Sequence, residues 1–347
     1  MSGPAPDRTE GMRRFDESPF EVVADGLEYP EAPIACADGS VIVAEVKGGR
    51  LTRIKPDGSK QTVATTGGSP NGAAFGPDGK LYVCNSGGFV WIPVGPLWVT
   101  GPQPPDYAGG AIQRVDVATG AVETVYRSFP SLDPITKQPV TLPLKGPDDL
   151  VFDETGGFWL TDWGKTRGRD RDVTGVYYAR PDGSSIREVL FPMNAPNGIA
   201  LSPDGRRLYV AETYTRRVLR YDLDAPGRIA PNPRTLDGSY LLTAAIPGQG
   251  LLDSMKVDAE GNVWVATMLP GGADPQVTGG LTIISPDGDV LQFLEIAVGS
   301  PTPLPSNLCF GGDDRRTAYV TGGGSGLLVK ARVSVAGLAP RFGPAPA

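Results

Sequence analysis

The residues in this chain that could do chemistry are six polar side chains recurring at one place in a repeating pattern: Glu31, Asn71, Asp148, Asn197, Asp253 and Ser306. Each stands at the head of a short apolar run, as in PEAPIACADGSVIVAE from Pro30 or PNGIALSPDGRRLYVAE from Pro196. Equivalent positions of a closed repeat converge on one place, which would gather the carboxylates in a small volume. They would then repel strongly unless protonated or neutralised by a cation. Carboxylates mixed with amide oxygens are the ligand set of a hard divalent ion such as Ca2+ or Mg2+. Any one of these residues, taken singly, also reads as an Asx turn or strand cap. Taken together, Glu31, Asn197 and Asp253 point to a metal, with Asn71 and Ser306 as supporting or structural groups.

An absence narrows the chemistry further. The chain contains no histidine, which removes the Ser-His-Asp triad, the Cys-His pair, His-ligated zinc and the HExxH motif together. A bound metal must therefore be held by oxygens, and a carboxylate, Lys or Tyr must act as any base.

The elements that would position these groups are six matched segments, starting at Pro30, Pro70, Pro147, Pro196, Leu252 and Pro305. In the first five, the residue after the opening Pro or Leu lies eight positions before a turn glycine: Gly39, Gly79, Gly156, Gly205 and Gly261. The sixth has Asp314 where the pattern expects glycine. The DG and EG pairs supply the positive φ of a hairpin turn between apolar strands. RLTRIKPDGSKQTVA, AIQRVDVATGAVETVY, GVYYARPDGSSIREVL and GLTIISPDGDVLQFLE read as second, outer hairpins. Two hairpins per repeat make a four-stranded blade, so the fold expected is an all-β, six-bladed propeller around a central channel. FEVVADGL, residues 20–27, is a spare strand expected to complete the last blade. The expected division is a disordered leader over 1–19, one propeller domain over 20–335 and a flexible tail over 336–347.

Composition agrees. With 47 Gly and 35 Pro in 347 residues, long helices are interrupted and short strands with tight turns are favoured. The net charge of −7 disfavours nucleic-acid phosphate as a partner. No apolar run is long enough for a membrane-spanning helix. The N-terminus lacks the apolar core of a signal peptide, and Cys36, Cys84 and Cys309 read as free thiols. These features lead us to expect a cytoplasmic protein acting on a small molecule, with its oligomeric state open.

Two insertions stand out. Residues 86–110 are rich in Pro, Gly and aromatics, and SFPSLDPITKQPVTLPLKG precedes Pro147. Long loops in a compact fold are usually functional or mobile. Trp91, Trp98 and Tyr107 either roof a pocket over the metal or pack on a neighbouring blade or subunit. Trp163 and Lys165, just after the strand FWLTD, are further candidates at the mouth, whereas Arg167 reads as a solvated charge.

The segments YPEAP, APNGIALSPDGRRLYVAET and LLDSMKVDAEGNVWVAT resemble the SMP-30/gluconolactonase family, a likeness running from about Phe20 to Val333. The resemblance implies a six-bladed propeller with a central divalent cation, held by Glu31, Asn197 and Asp253. It implies Asp253 as general base too. Asp148 departs from the family's usual Asn, giving the pair Asp148-Asp149; it is expected to complete the ion's shell or touch substrate. Asn71, Trp91, Trp98 and Trp163 are the other expected substrate contacts. Ca2+ is the expected ion, with Mg2+, Mn2+ and Zn2+ as alternatives. The implied reaction is metal-dependent hydrolysis of a lactone or related cyclic ester. Other readings stay open: an isomerase, hydratase, phosphotriesterase or strictosidine synthase-like reaction on the same scaffold, or a non-enzymatic binding propeller.

Overall fold

The computed structural model describes residues 20–133, 135–269, 279–299 and 303–343. Six antiparallel sheets follow the six repeats, each counted outward from a strand that begins at the repeat head. The innermost strands are Pro30–Ala35, Pro70–Phe75, Pro147–Phe152, Pro196–Leu201, Leu251–Val257 and Pro305–Gly311. Successive innermost strands pack against one another, the sixth against the first, so the ring closes. The strand Glu21–Ala24 pairs with Leu327–Arg332 and completes the sixth blade, as its spare position in the sequence suggests. N- and C-terminal parts of the chain thus share one blade, which leaves no open edge between first and last repeat.

The second strand of each blade explains why the fold holds. Val41–Glu45, Leu81–Asn85 and Phe158–Asp162 are buried at every position. Blades cover both faces of these strands, so they read as continuous rather than alternating apolar runs. The core is six clusters, one in each gap between neighbouring blades. Trp264 and Leu281 of the fifth blade meet Leu308 and Val329 of the sixth, for example. Ala24, Leu27 and Leu328 meet Val41, Val43 and Ile54 to close the ring.

Turn glycines behave as their spacing predicts: Gly39, Gly79, Gly156, Gly205 and Gly261 all have φ between 68° and 89°. The sixth turn corrects the sequence alignment. Its strand pair runs one residue longer, from Pro305 opposite Gly322 to Gly311 opposite Thr317. Arg315, with φ 53°, therefore takes the glycine position. Asp314 accepts from the Arg316 amide as Asp204 does from Arg206.

The insertions fold into hairpins. Trp91–Val94 pairs with Leu97–Thr100, and Ser128–Leu132 pairs with Pro139–Pro143. The second packs Phe129 edge-on against Tyr177 on the third blade. In the fourth blade the outer strand, Ser239–Thr243, is separated from its partner Arg217–Ala225 by a short side hairpin, which obscures that repeat in the sequence. The expected leader, and residues 344–347 of the expected tail, lie outside the described residues. Residues 338–343 lie over the lower ends of the innermost strands, with Phe342 edge-on to Phe152. Among the described residues no helix is long and apolar enough to cross a membrane.

Candidate active site

One local irregularity, repeated six times, builds the site. In every blade the register between the first and second strands slips near the strand head. Pro147 faces Asp162 but Leu150 faces Leu160, and Pro196 faces Glu212 but Ile199 faces Val210. The same slip occurs in the other four blades. The inner strand carries one extra residue, a β-bulge, which bends the strand and re-aims its side chains. Asn71, Asp148, Asn197 and Asp253 all fall inside these bulges. Glycine follows both asparagines because the next innermost strand comes close. A Cβ on Gly72 would fall against the Asp149 Cα and the Asp148 carbonyl; one on Gly198 would lie 2.7 Å from the Asp253 carbonyl oxygen.

The bulges deliver Asn71, Asp148, Asn197 and Asp253, and the strand head just before the first bulge delivers Glu31, to one cavity of about 250 Å³ at the channel mouth. Its floor is polar and buried. Asn71 Nδ2 donates to Asp148 Oδ2 at 3.2 Å. Three acceptors there, Asn71 Oδ1, Asp148 Oδ1 and Asn197 Oδ1, are buried without a hydrogen-bond partner. Burial pushes the Glu31 carboxyl up to about 7, with Asn307 and Ser306 opposing the shift. Asp148 and Asp253 are held well above the usual carboxylate range by burial first, with the charges of Asp253 and Glu31 adding to it at Asp148 and that of Glu31 at Asp253. The Tyr29 phenol is raised for the same reasons. Below this layer Asp149 pairs with Lys256 at 3.4 Å. Among the described residues no three acidic side chains form a chelating cluster alone, so a cation here needs amide oxygens as well.

The walls come from elsewhere. Val46, Phe89, Trp98, Val99, Leu251, Met268 and Leu304 line the cavity above the floor, together with Tyr29, Thr100, Trp163, Thr213 and Tyr214. The first insertion forms the roof. Its Trp98 amide donates to Gly324 O at 2.9 Å and its Gln103 amide to Thr166 O at 2.8 Å, pinning it to the sixth and third blades. Lys165 is buried; its Nζ donates to Gly88 O at 2.7 Å and sits 3.7 Å over the Phe89 ring.

Comparison with known proteins accords with this geometry. Residues 29–324 match the family described as the SMP-30/gluconolactonase/LRE-like region. The chain belongs to this family. A gluconolactonase of Zymomonas mobilis is 27% identical over 319 residues, covering 85% of this chain and 76% of that protein. The lactonase drp35 of Staphylococcus haemolyticus is 30% identical over 251 residues, covering 71% of this chain and 65% of its own. Among solved structures, the calcium-binding protein regucalcin of Agrobacterium tumefaciens superposes with a TM-score of 0.65 at 18% identity, over 94% of this chain and 97% of that one.

Within this family member, the polar residues singled out from the repeats share one cavity except Ser306. Its hydroxyl donates to Pro30 O at 3.1 Å and ties the last blade to the first. Trp98 and Trp163 line the cavity, whereas Trp91 does not: it packs behind, 5.0 Å from the Tyr29 ring and 6.0 Å from Phe89. Tyr107 bonds the Lys145 carbonyl outside the cavity. Lys165 holds the roof instead of reaching the mouth, and Arg167 pairs with Asp170 and Asp172 at the surface. Sequence reading missed Tyr29, Phe89, Leu251, Met268 and Leu304. Tyr29, Leu251 and Leu304 had a signal, each standing two residues before a repeat-head residue, Glu31, Asp253 and Ser306. Met268 stands at the end of the second strand of its blade, as Val46 does in the first. Phe89 lies in an insertion that no repeat marks.

Proposed function

We propose that this chain is a divalent-cation-dependent lactonase, hydrolysing a lactone or related cyclic ester. The observation that carries the reading is the cavity floor, where three buried acceptors lacking partners sit beside carboxylates that burial disfavours as anions. Buried polar groups are normally satisfied, and a hard cation satisfies this set through oxygen. Glu31, Asn197 and Asp253 would hold it, with Asp148 as a further oxygen. The calcium-binding relative in the fold comparison makes Ca2+ the first ion to test. When bound, the ion supplies Lewis-acid polarisation of the lactone carbonyl.

The chain's own residues account for the rest. Asp253, buried and raised in pKa, accepts a proton from the attacking water, because a base works best with a pKa drawn toward the working pH. A C–O bond forms at the carbonyl carbon. The ring C–O bond then breaks, and Asp253 returns the proton to the leaving ring oxygen. Asn71 fixes the Asp148 carboxylate through Nδ2 and leaves its Oδ1 free. Trp98 and Phe89 keep bulk water from the floor. The test is metal analysis of the purified protein, followed by a lactone panel with and without chelator. Turnover that survives complete removal of divalent ions rejects the cation-dependent reading.

A further inference from the structure

The cavity walls carry information about the substrate that the floor does not. Phe89, Trp98, Val99, Leu251, Met268 and Leu304 enclose the space above the carboxylates. Among the described residues neither lysine nor arginine lines it, nor does glutamine. The donors that are present are largely committed within the protein. Asn71 Nδ2 serves Asp148, and the Trp163 indole N–H serves Thr213 Oγ1 at 3.3 Å. What remain are the Trp98 indole N–H and the hydroxyls of Tyr29, Thr100, Thr213 and Tyr214. The roof that supplies the aromatic part is held in place by Lys165 beneath Gly88 and Phe89, and by Trp98 on the sixth blade.

We infer that the substrate is a lactone bearing an alkyl or aryl substituent, not a polyhydroxylated sugar lactone. This rests on the lactonase reading and specifies its substrate class. A ring with several free hydroxyls loses water from each on entering, and apolar walls return no hydrogen bond in exchange. An alkyl or aryl substituent instead buries its surface against the same walls. The carbonyl end lies on the polar floor and the substituent lies under the roof.

The experiment compares δ-decalactone with glucono-δ-lactone, a pair matched in ring size and heavy-atom count, on the full chain supplied with Ca2+, Mg2+, Mn2+ or Zn2+. The alkyl lactone should have a kcat/KM higher by about 10²-fold or more, the scale on which apolar pockets discriminate. Leu304→Asn and Met268→Gln, which place polar groups in the wall, should each narrow that ratio by about tenfold. Equal or better turnover of the gluconolactone overturns the inference and leaves the lactonase reading intact. Failure to open either lactone with any of the ions overturns the lactonase reading. Calorimetric titration with the corresponding non-hydrolysed lactams then decides the wall by itself: tighter binding of the alkyl lactam sustains an apolar ligand class, and equal or tighter binding of the polyhydroxylated lactam rejects it.

Discussion

The Asn71 side-chain amide donates to Asp148 Oδ2 at 3.2 Å, joining the heads of two innermost strands 77 residues apart in the chain. The bond occupies one oxygen of a buried carboxylate and leaves the other, Oδ1, buried without a partner. The family resemblance implies Asn where Asp148 stands, so this contact fixes a carboxyl group at a place where an amide is expected.

Asp148→Asn introduces the residue that the family resemblance implies and should retain measurable turnover while shifting preference among lactones. Asn71→Ala removes the donor and should raise KM by roughly 5–30-fold, the effect of losing about 1–2 kcal/mol of orientation. Steady-state kinetics on one active lactone at saturating cation checks both. An inactive Asp148→Asn beside an active Asp253→Asn would transfer the base role to Asp148.

Asp253→Asn should lower kcat by about 10²–10⁴-fold, the usual contribution of a general base, with KM changed far less. The defect should persist in excess cation, which separates a lost base from a weakened ligand. Rescue to near wild-type kcat by cation alone would show that Asp253 serves only as a ligand.

Glu31→Gln should weaken cation binding, because a carboxylate oxygen is exchanged for a neutral amide of the same shape. Metal content after dialysis against chelator is the readout. Full retention would remove Glu31 from the ligand set.

Lys165 offers a pH signature. Burial depresses its amine to about 7, against roughly 10.4 in an unfolded chain. Between these values the unfolded state binds a proton that the folded state does not, so this group makes stability rise with pH over that window. Below about pH 7 both states carry the proton and its contribution is flat. Lys165→Met should therefore reduce the gain in urea-unfolding free energy between pH 7 and about pH 9.5, by at most roughly 3 kcal/mol. An unchanged gain would mean that the lysine titrates normally.

Gly72→Ala should destabilise the fold by roughly 1–3 kcal/mol, the cost of overpacking, because the new Cβ falls against backbone of the neighbouring innermost strand. Urea midpoints measure it. Catalysis should fall with stability, since the strand displaced carries Asp148.

Much of this protein was legible in its sequence because the signals are local and repeated. A glycine eight residues after Glu31, Asn71, Asp148, Asn197 and Asp253 specifies a hairpin turn through φ alone, and five such hairpins with a sixth of the same outline specify a ring. The heads of the repeats marked the cavity floor for the same reason. Local pattern failed where length changed: the sixth strand pair gained one residue and moved the turn position from Asp314 to Arg315. Only the tertiary structure decided the rest. The bulges that turn the floor residues into one cavity show only when two strands are paired. Leu251 and Leu304, at one repeat position, form one wall with Met268 and with Phe89 and Trp98, which an insertion supplies. Trp91 and Trp98 lie seven residues apart in one hairpin, yet one backs Tyr29 and the other faces the cavity. Periodicity marks which strand ends reach the mouth, whereas the roof comes from an insertion that meets those ends across the ring, contacts that carry no period.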